Sequence, residues 1–418
     1  MNNPSTPKET VRIAAIGLGG RGRSQMCEMM SIPGVRVPAV CDIYEDRASR
    51  AADEAEKRQG FRPAVYLDYN ELLAQEDLDA ILCCSTWITH GEIAVAAMRA
   101  GKHVTIEVGG AASEEECWAM VRASKETGKF CMLLENCCYD RNEMALFRMA
   151  REGVFGELVH LEGGYRHDLR DEIGYGKENR HGRLKNFTGR NGELYPTHQL
   201  GPIAKLIGIN RGNRFLTLSS IASKVRGLHE FLLREKGPDY YLANQVFNQG
   251  DVIDTTITCA NGETIHLVHD CTLPRPYSRG YCVQGTKAVF QEAPLGEAIY
   301  IDGVSKRHDW EPFAPYRDQY EHPLWAAYKD AEEHAGGHGG MDYLVLSAFV
   351  ESVKLGAPPP IDVFDTAAWM AVTYLSEQSC ALGGTPVPFP DFTNGRWIER
   401  EAFRRGRYCL EEICGEAF

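Results

Sequence analysis

The sequence predicts an α/β protein in two parts. A Rossmann-type doubly wound parallel sheet occupies residues 9–140, and an α+β domain with a mostly antiparallel sheet occupies residues 141–418, its C-terminal helices able to pack back on the first part. Three observations carry this. Short apolar runs alternate with helical patterns through the first 140 residues, the order that builds a parallel sheet covered on both faces. Alternating runs separated by turn residues follow, as antiparallel strands with one helical face require. The 418-residue length exceeds one ordinary domain, and 44% apolar with 25% charged residues suits a globular chain with a large core.

Val11 to Gly19 reads as the first strand and Arg21 to Ile32 as a helix. Val35 to Asp42 reads as a second strand, followed by a polar-faced helix ended by Gly60. Asp79 to Thr86 is a buried strand, Gly91 to Gly101 a helix, His103 to Val108 a strand, and Ser113 caps a helix that runs to Gly128 before a last strand, Lys129 to Asn136. A helix from Arg141 to Gly153 opens the second part. It leads to a strand, Glu157 to Asp168, and then to a polar, Gly- and Arg-rich stretch ending near Glu193. The runs beginning at Phe215, Asp251 and Ser278 read as strands, and Ala260-Asn261-Gly262-Glu263 marks a hairpin. Long helical patterns return from Asp342 onward.

Gly17-Leu18-Gly19-Gly20-Arg21-Gly22 matches G-x-G-x-x-G between a predicted strand and a predicted helix, the context in which that pattern holds a dinucleotide. Gly17 permits the tight turn, Gly19 lets the backbone approach the pyrophosphate, and Gly22 allows close helix–strand packing. The helix N-terminus, with Gly20 and Arg21, then faces the phosphates. Asp42 ends the second predicted strand, 20 residues past Gly22, where a carboxylate hydrogen-bonds ribose hydroxyls and repels a 2′-phosphate. NAD is therefore expected over NADP.

The net charge of −13 argues against a nucleic-acid partner. No run of about 18 apolar residues is present to span a membrane. The opening MNNPSTPKET lacks the pattern of a secretory leader, so a cytoplasmic protein is expected, with a periplasmic or exported one the alternative if a leader has been removed. The fourteen cysteines are dispersed, with no CxxC pairs, and read as buried thiols in a reducing compartment. His334 and His338 have i,i+4 spacing, but the glycines between them oppose a helix, and no metal is expected. An exposed antiparallel face leaves room for a homodimer.

CSTWITHGEIAVAAMRAGKHVTIEV resembles the Gfo/Idh/MocA oxidoreductases, whose pattern here is C-T-P-N-x-x-H, then A-G-K-H-V and E-K-P. In the dehydrogenases of that family the lysine of E-K-P assists proton transfer at the substrate hydroxyl, but this chain has Glu107-Val108-Gly109. A narrower branch fits better. ENCCYDR (Glu135 to Arg141), YPTHQLGPIAKLIGINRGNRF (Tyr195 to Phe215), PRPYSR (Pro274 to Arg279), VQGTKA, YEHPLW and HGGMDY are similar to family 109 glycoside hydrolases, NAD-dependent α-N-acetylgalactosaminidases with the Gfo/Idh/MocA fold. Trp87-Ile88-Thr89-His90 matches the W-x-x-H of that branch. The branch usually continues E-V-P-A where this chain has Glu107-Val108-Gly109-Gly110, a departure in the loop under the nicotinamide.

The resemblance implies hydrolysis of a glycoside by oxidation at sugar carbon 3, elimination across carbons 2 and 1, addition of water and reduction. Such a cycle uses a bound hydride acceptor and proton-transfer groups rather than two flanking carboxylates. His198, in YPTH, titrates near neutrality and is the first candidate for proton transfer. Tyr165 follows a predicted strand and can donate to a sugar hydroxyl or serve as acid. Family matching assigns substrate contact to Tyr195, Tyr277 and Arg183; Arg180 and Arg190 compete for the last position. It assigns Trp87 and His90 to the cofactor groove, Glu107 and Val108 to the nicotinamide ribose, and Asn136, beside Glu135, to a nicotinamide or ribose contact at a strand's carboxyl end. The alternatives are a net sugar or cyclitol dehydrogenase and a non-catalytic NAD-binding protein.

Overall fold

The computed structural model describes residues 8–293, 296–329, 337–400 and 406–414. The leader reading of residues 1–7 and the loop reading of His334 lie outside them. Seven strands form the first sheet: β1 (Val11–Ile16), β2 (Val35–Arg36), β3 (Ala39–Cys41), β4 (Ala64–Tyr66), β5 (Ala80–Cys83), β6 (His103–Ile106) and β7 (Cys131–Leu133). They run parallel in the order β4–β3–β1–β5–β6–β7, with β2 also beside β1. The segment that reads as one strand, Val35 to Asp42, is split between β2 and β3. Pro38 has no amide to offer a ladder, so the strand breaks there. Every strand carboxyl end that matters to function (after β1, β3, β5, β6 and β7) opens on the same edge of this sheet, as parallel strands must.

The second sheet contains β8 (Leu158–Arg166), β9 (Phe215–Ala222), β10 (Val252–Cys259), β11 (Thr264–Asp270), β12 (Cys282–Gly285), β13 (Ala288–Ala293), β14 (Gly296–Ile301), β15 (Glu311–Pro312) and β16 (Val387–Pro388). Their order is β15–β14–β13–β12–β8–β11–β10–β9–β16, antiparallel throughout except between β8 and β11. Thr258 pairs with Thr264 at the expected hairpin. The helix Thr197–Leu206 lies on β8, and a Cβ on Gly163 would overlap the Gln199 side chain of that helix. The opposite face is open at Ile221, which is 65% exposed.

The polar stretch before Glu193 contains two short helices, Arg170–Gly174 and Arg183–Gly189. The C-terminal helices Met341–Leu355 and Val363–Ala381 run against the first sheet's lobe. Phe349 meets Phe130 edge-on at 5.8 Å, and the Ala111 amide donates to the Met370 carbonyl at 3.0 Å. Val363–Ala381 starts on a capping box, the Asp362 side chain accepting from the Phe364 and Asp365 amides. Among the described residues no helix is long and apolar enough to cross a membrane, and no cysteine is in a disulfide.

Candidate active site

The glycine loop has the conformation its pattern requires. Gly17 takes φ +83°, and a Cβ there would overlap backbone atoms of Cys84 and Ser85 at the end of β5; one on Gly22 would overlap the Gly17 carbonyl. Gly19 and Gly20 are different. Nothing lies within 4 Å of a Cβ on Gly20, and only the Arg47 guanidinium, at 3.5 Å or beyond, approaches one on Gly19. The helix Gly20–Met29 begins there with no side-chain cap and no acidic residue in its first turn. Its first amides face open space over two glycines, a fit for a dinucleotide's pyrophosphate.

The side chains around this loop hold one another. Asp42 is 6% exposed, and its two oxygens accept from the Leu18 amide at 2.6 Å and the Tyr44 amide at 2.9 Å. The sequence assigns Asp42 to the ribose; the structure shows its carboxylate first of all bracing the loop. Arg21 turns away from the loop onto Glu107 (2.7 Å) and makes a two-pronged bond to Asp342 (2.6 and 2.9 Å). Asp342 also accepts from Asn136 Nδ2 at 2.8 Å and lies 2.9 Å from His338 Nδ1. Burial opposes the charge on Asp342, but His338 and Arg21 hold its carboxyl well below the usual range. Glu107 Oε2 accepts from the Val108 amide, and Gln25 donates to Oε1.

His90 departs from the expectation that it lines the groove. It is 0% exposed, with Nε2 2.9 Å from the Ser85 carbonyl oxygen, so it fastens the turn after β5 and presents no surface to a ligand. Trp87, three residues earlier, packs beside Tyr195 and Arg183, and the Gly109-Gly110 loop passes close to it. A Cβ on Gly109 would run into the Trp87 indole, and one on Gly110 into Thr373.

Across the groove, the end of β8, the start of the helix Thr197–Leu206 and the loop at Tyr277 bring together an aromatic pocket. Tyr195 lies 5.3 Å from Trp87, 4.5 Å from Tyr165 and 4.9 Å from His198 between ring centroids. Tyr277, 51% exposed, stands at the mouth, 6.1 Å from Tyr165. Arg183 fills the gap between Trp87 and Tyr195, its guanidinium carbon 5.1 Å from each ring, and its Nε is 2.7 Å from Glu172. Its rivals lie elsewhere: Arg180 forks onto Asp46, and Arg190 onto Glu377.

His198 Nδ1 is 2.8 Å from Oε1 of Glu135, a carboxylate at the end of β7 that is 0% exposed. Burial works against the charged form of Glu135, yet the facing His198 outweighs it and keeps the carboxyl below its usual range. With Nδ1 engaged on Glu135, Nε2 is left for a ligand. Glu135, Cys137 and His198 place ligand atoms within 4.8 Å of one another. Burial pushes the Cys137 thiol far up, and the carboxylate and imidazole already pair with each other.

Sequence reasoning missed His167, whose Nδ1 lies 3.0 Å from the Tyr165 hydroxyl. The signal was available, since residues i and i+2 at a strand end share a face. It also missed a role for Asp342, although the HGGMDY motif contains it.

Comparisons with known proteins agree with this geometry. The family model described as "Oxidoreductase family, NAD-binding Rossmann fold" matches residues 11–134, and "Glycosyl hydrolase 109, C-terminal domain" matches residues 139–399. A glycosyl hydrolase family 109 protein of Stenotrophomonas maltophilia is 42% identical over 95% of this chain and 93% of its own length. An alpha-N-acetylgalactosaminidase of Tannerella forsythia is 40% identical over 94% and 88%. A solved NAD binding oxidoreductase of Klebsiella pneumoniae shares the fold, with a TM-score of 0.71 at 17% identity over 92% of this chain and all (100%) of that one. The first lobe is an NAD-binding Rossmann domain, and the chain, a glycosidase, belongs to glycosyl hydrolase family 109.

Proposed function

We propose that the chain hydrolyses α-N-acetylgalactosaminides or closely related glycosides, with NAD retained and no net redox change. The observation that carries this reading is the buried Glu135–His198 pair opening on a tyrosine-walled pocket beside the dinucleotide loop. Bound NAD supplies a reversible hydride acceptor for sugar carbon 3, which renders the proton on carbon 2 acidic.

The chain's own groups do the rest. His198, oriented by Glu135, takes the carbon 2 proton on Nε2 and later returns it. Arg183, buried between two aromatic faces, donates to sugar oxygens, and Tyr195 and Tyr277 pack against the ring. Amides over Gly19 and Gly20, at the head of the helix Gly20–Met29 that carries Arg21 and Gly22, would receive the pyrophosphate. Asp42, besides bracing the loop, would meet the adenosine ribose with its remaining acceptor capacity and refuse a 2′-phosphate. Trp87, Glu107, Val108 and Asn136 frame the nicotinamide end. Val108, where the related dehydrogenases have lysine, leaves proton transfer to the second lobe.

Purified protein incubated with p-nitrophenyl α-N-acetylgalactosaminide, without added cofactor, should release nitrophenol while absorbance from reduced nicotinamide stays flat. Steady growth of that absorbance with free sugar and added NAD, and no nitrophenol release, would instead identify a dehydrogenase.

A further inference from the structure

A chain that borrows a hydride and gives it back needs its nicotinamide oxidised at the start of every turnover, and the buried charges bear on that. In the sheet order β4–β3–β1–β5–β6–β7 the glycine loop follows β1, with Asp42 after β3 on one side of it. An adenosine held at Asp42 therefore sends the nicotinamide half to the other side, over the carboxyl ends of β5, β6 and β7. Cys84, Glu107 and Asn136 stand just past those three ends. Asp342 reaches them from the helix Met341–Leu355 and accepts from Asn136 Nδ2 at 2.8 Å.

The ionised groups here do not cancel. Glu107 is 7% exposed and Asp342 2%. Arg21 joins both, 2.7 Å from Glu107 Oε1 and forked onto Asp342. Among the described residues no other arginine or lysine pairs with either acid. Burial opposes the charge on Asp342 and on Arg21, yet their partners hold Asp342 below its usual range and Arg21 above its own. Val108 adds no charge, and desolvation, followed by Glu107, pushes the Cys84 thiol up, so it adds none either. Two carboxylates face one guanidinium, where water screens little.

We propose, building on the glycosidase reading, that the Glu107–Arg21–Asp342 triad sets the redox poise of the bound cofactor, its surplus negative charge favouring the oxidised nicotinamide. Oxidised nicotinamide carries a positive ring charge, and accepting a hydride (one proton with two electrons) cancels it. A buried anion alongside stabilises that positive form and leaves the neutral reduced form nearly untouched. Return of the hydride to sugar carbon 3 is thereby favoured, and the resting chain stays ready for the next glycoside. The triad itself exchanges no proton or electron with the substrate; it acts through its charge.

The test reads bound nucleotide without turnover. Holoenzyme is dialysed under argon against equal NAD and NADH until labelled nucleotide has exchanged fully, and absorbance of the protein fraction gives the bound ratio. A buffer of about pH 8.5 takes histidine charge out of the comparison, which matters because the exposed His338 lies beside Asp342. Wild type should hold mostly the oxidised form. Asp342→Asn should lower the ratio of oxidised to reduced about tenfold, which is about 30 mV for this two-electron couple, and Glu107→Gln should move it the same way. The double variant Arg21→Gln/Asp342→Asn breaks the contacts but restores the net charge, so its ratio should return to within about threefold of wild type. A merely structural role would weaken both forms of the nucleotide alike and leave the ratio unmoved. Unchanged ratios in both single variants overturn the proposal, as does a double variant shifted as far as Asp342→Asn or a wild type that holds mostly the reduced form. If Asp342→Asn holds neither nucleotide, Glu107→Gln decides the sign. A chain inert on every glycoside would overturn the hydrolytic reading and leave the bound ratio to be judged on its own.

Discussion

In the nucleotide groove Asp42, Arg21, Glu107 and Asn136 are all bound to other protein groups, and the surface left for a ligand is backbone over Gly19 and Gly20. In the adjoining aromatic pocket, by contrast, His198 Nε2 and the hydroxyls of Tyr195 and Tyr277 make no hydrogen bond among the described residues, while Glu135 and Glu172 anchor the far ends of His198 and Arg183. One region is preorganised through its backbone and the other through side chains braced from behind. A cofactor that stays bound needs a fixed cradle with little to rearrange, whereas proton transfer needs side chains with one end free. Substitutions should therefore act on retention and folding in the first region and on turnover in the second.

The harshest test of that division is Gly22→Ala. Its methyl group would overlap the Gly17 carbonyl, a backbone atom with nowhere to go, so helix and strand must separate. The purified variant should carry almost no dinucleotide and melt several degrees below wild type. A fully loaded variant of wild-type stability would break the comparison. Next comes His198→Ala, expected to lower kcat by about 10³-fold with bound NAD per chain unchanged. Glu135→Gln should also lower kcat, because the amide can still hold the imidazole but can fix the wrong tautomer and cannot support its charge. Loss of dinucleotide from either variant would show that the two regions are not separable.

Legibility in the sequence follows the same border. The glycine loop could be read because its chemistry is local: six consecutive residues carry the turn, the approach and the packing. Tyr195 and His198 could be read because YPTH is a compact motif. The bracing could not. Asp342 lies 321 residues from the Arg21 it fixes, and the HGGMDY motif that contains it says nothing of that partner. The arginine assignment was open for the same reason, since Arg180, Arg183 and Arg190 share one polar stretch and only the fold shows which one reaches Trp87. His90 misled because a motif residue can serve a backbone carbonyl rather than a ligand. Pro38 was visible, yet the apolar run around it read as one strand.

Paired and unpaired acids sharpen the contrast further. Asp342, tied to Arg21, is held ionised. Glu193, two residues before Tyr195, is 0% exposed, and its only donor among the described residues is the Tyr195 amide, 3.4 Å away, so burial raises it to about 8. From its unfolded pKa near 4.3 up to about 8 the folded chain holds a proton that the unfolded chain has lost, so stability falls as pH rises through that window. Glu193→Gln should remove up to about 1.4 kcal/mol of stability loss per pH unit there. Melting curves at pH 5, 6.5 and 8 check it: the gap favouring the variant must widen with pH. A constant gap would mean that Glu193 is ionised in the folded chain.

The smallest effect concerns a place where the second lobe touches the rim of the glycine loop. Arg180, at φ +52°, forks onto Asp46 with two 2.8 Å bonds and lies 4.5 Å over the Tyr44 ring. Arg47 donates back to the carbonyls of Asn179 and Arg180 at 3.0 and 3.2 Å. Arg47 is also the residue nearest Gly19, so these bonds join the polar stretch of the second lobe to the rim of the cofactor loop. The Asp46–Arg180 pair is solvent-exposed, and exposed pairs contribute little, so Asp46→Ala should leave folding and kcat unchanged. It should, however, speed dinucleotide release about two- to fivefold, read as the loss of bound NAD during timed dialysis, and wild type in high salt should release it as fast as the variant because salt screens the pair. An unchanged release rate would place retention wholly in the backbone cradle and make the division between the two regions sharper still.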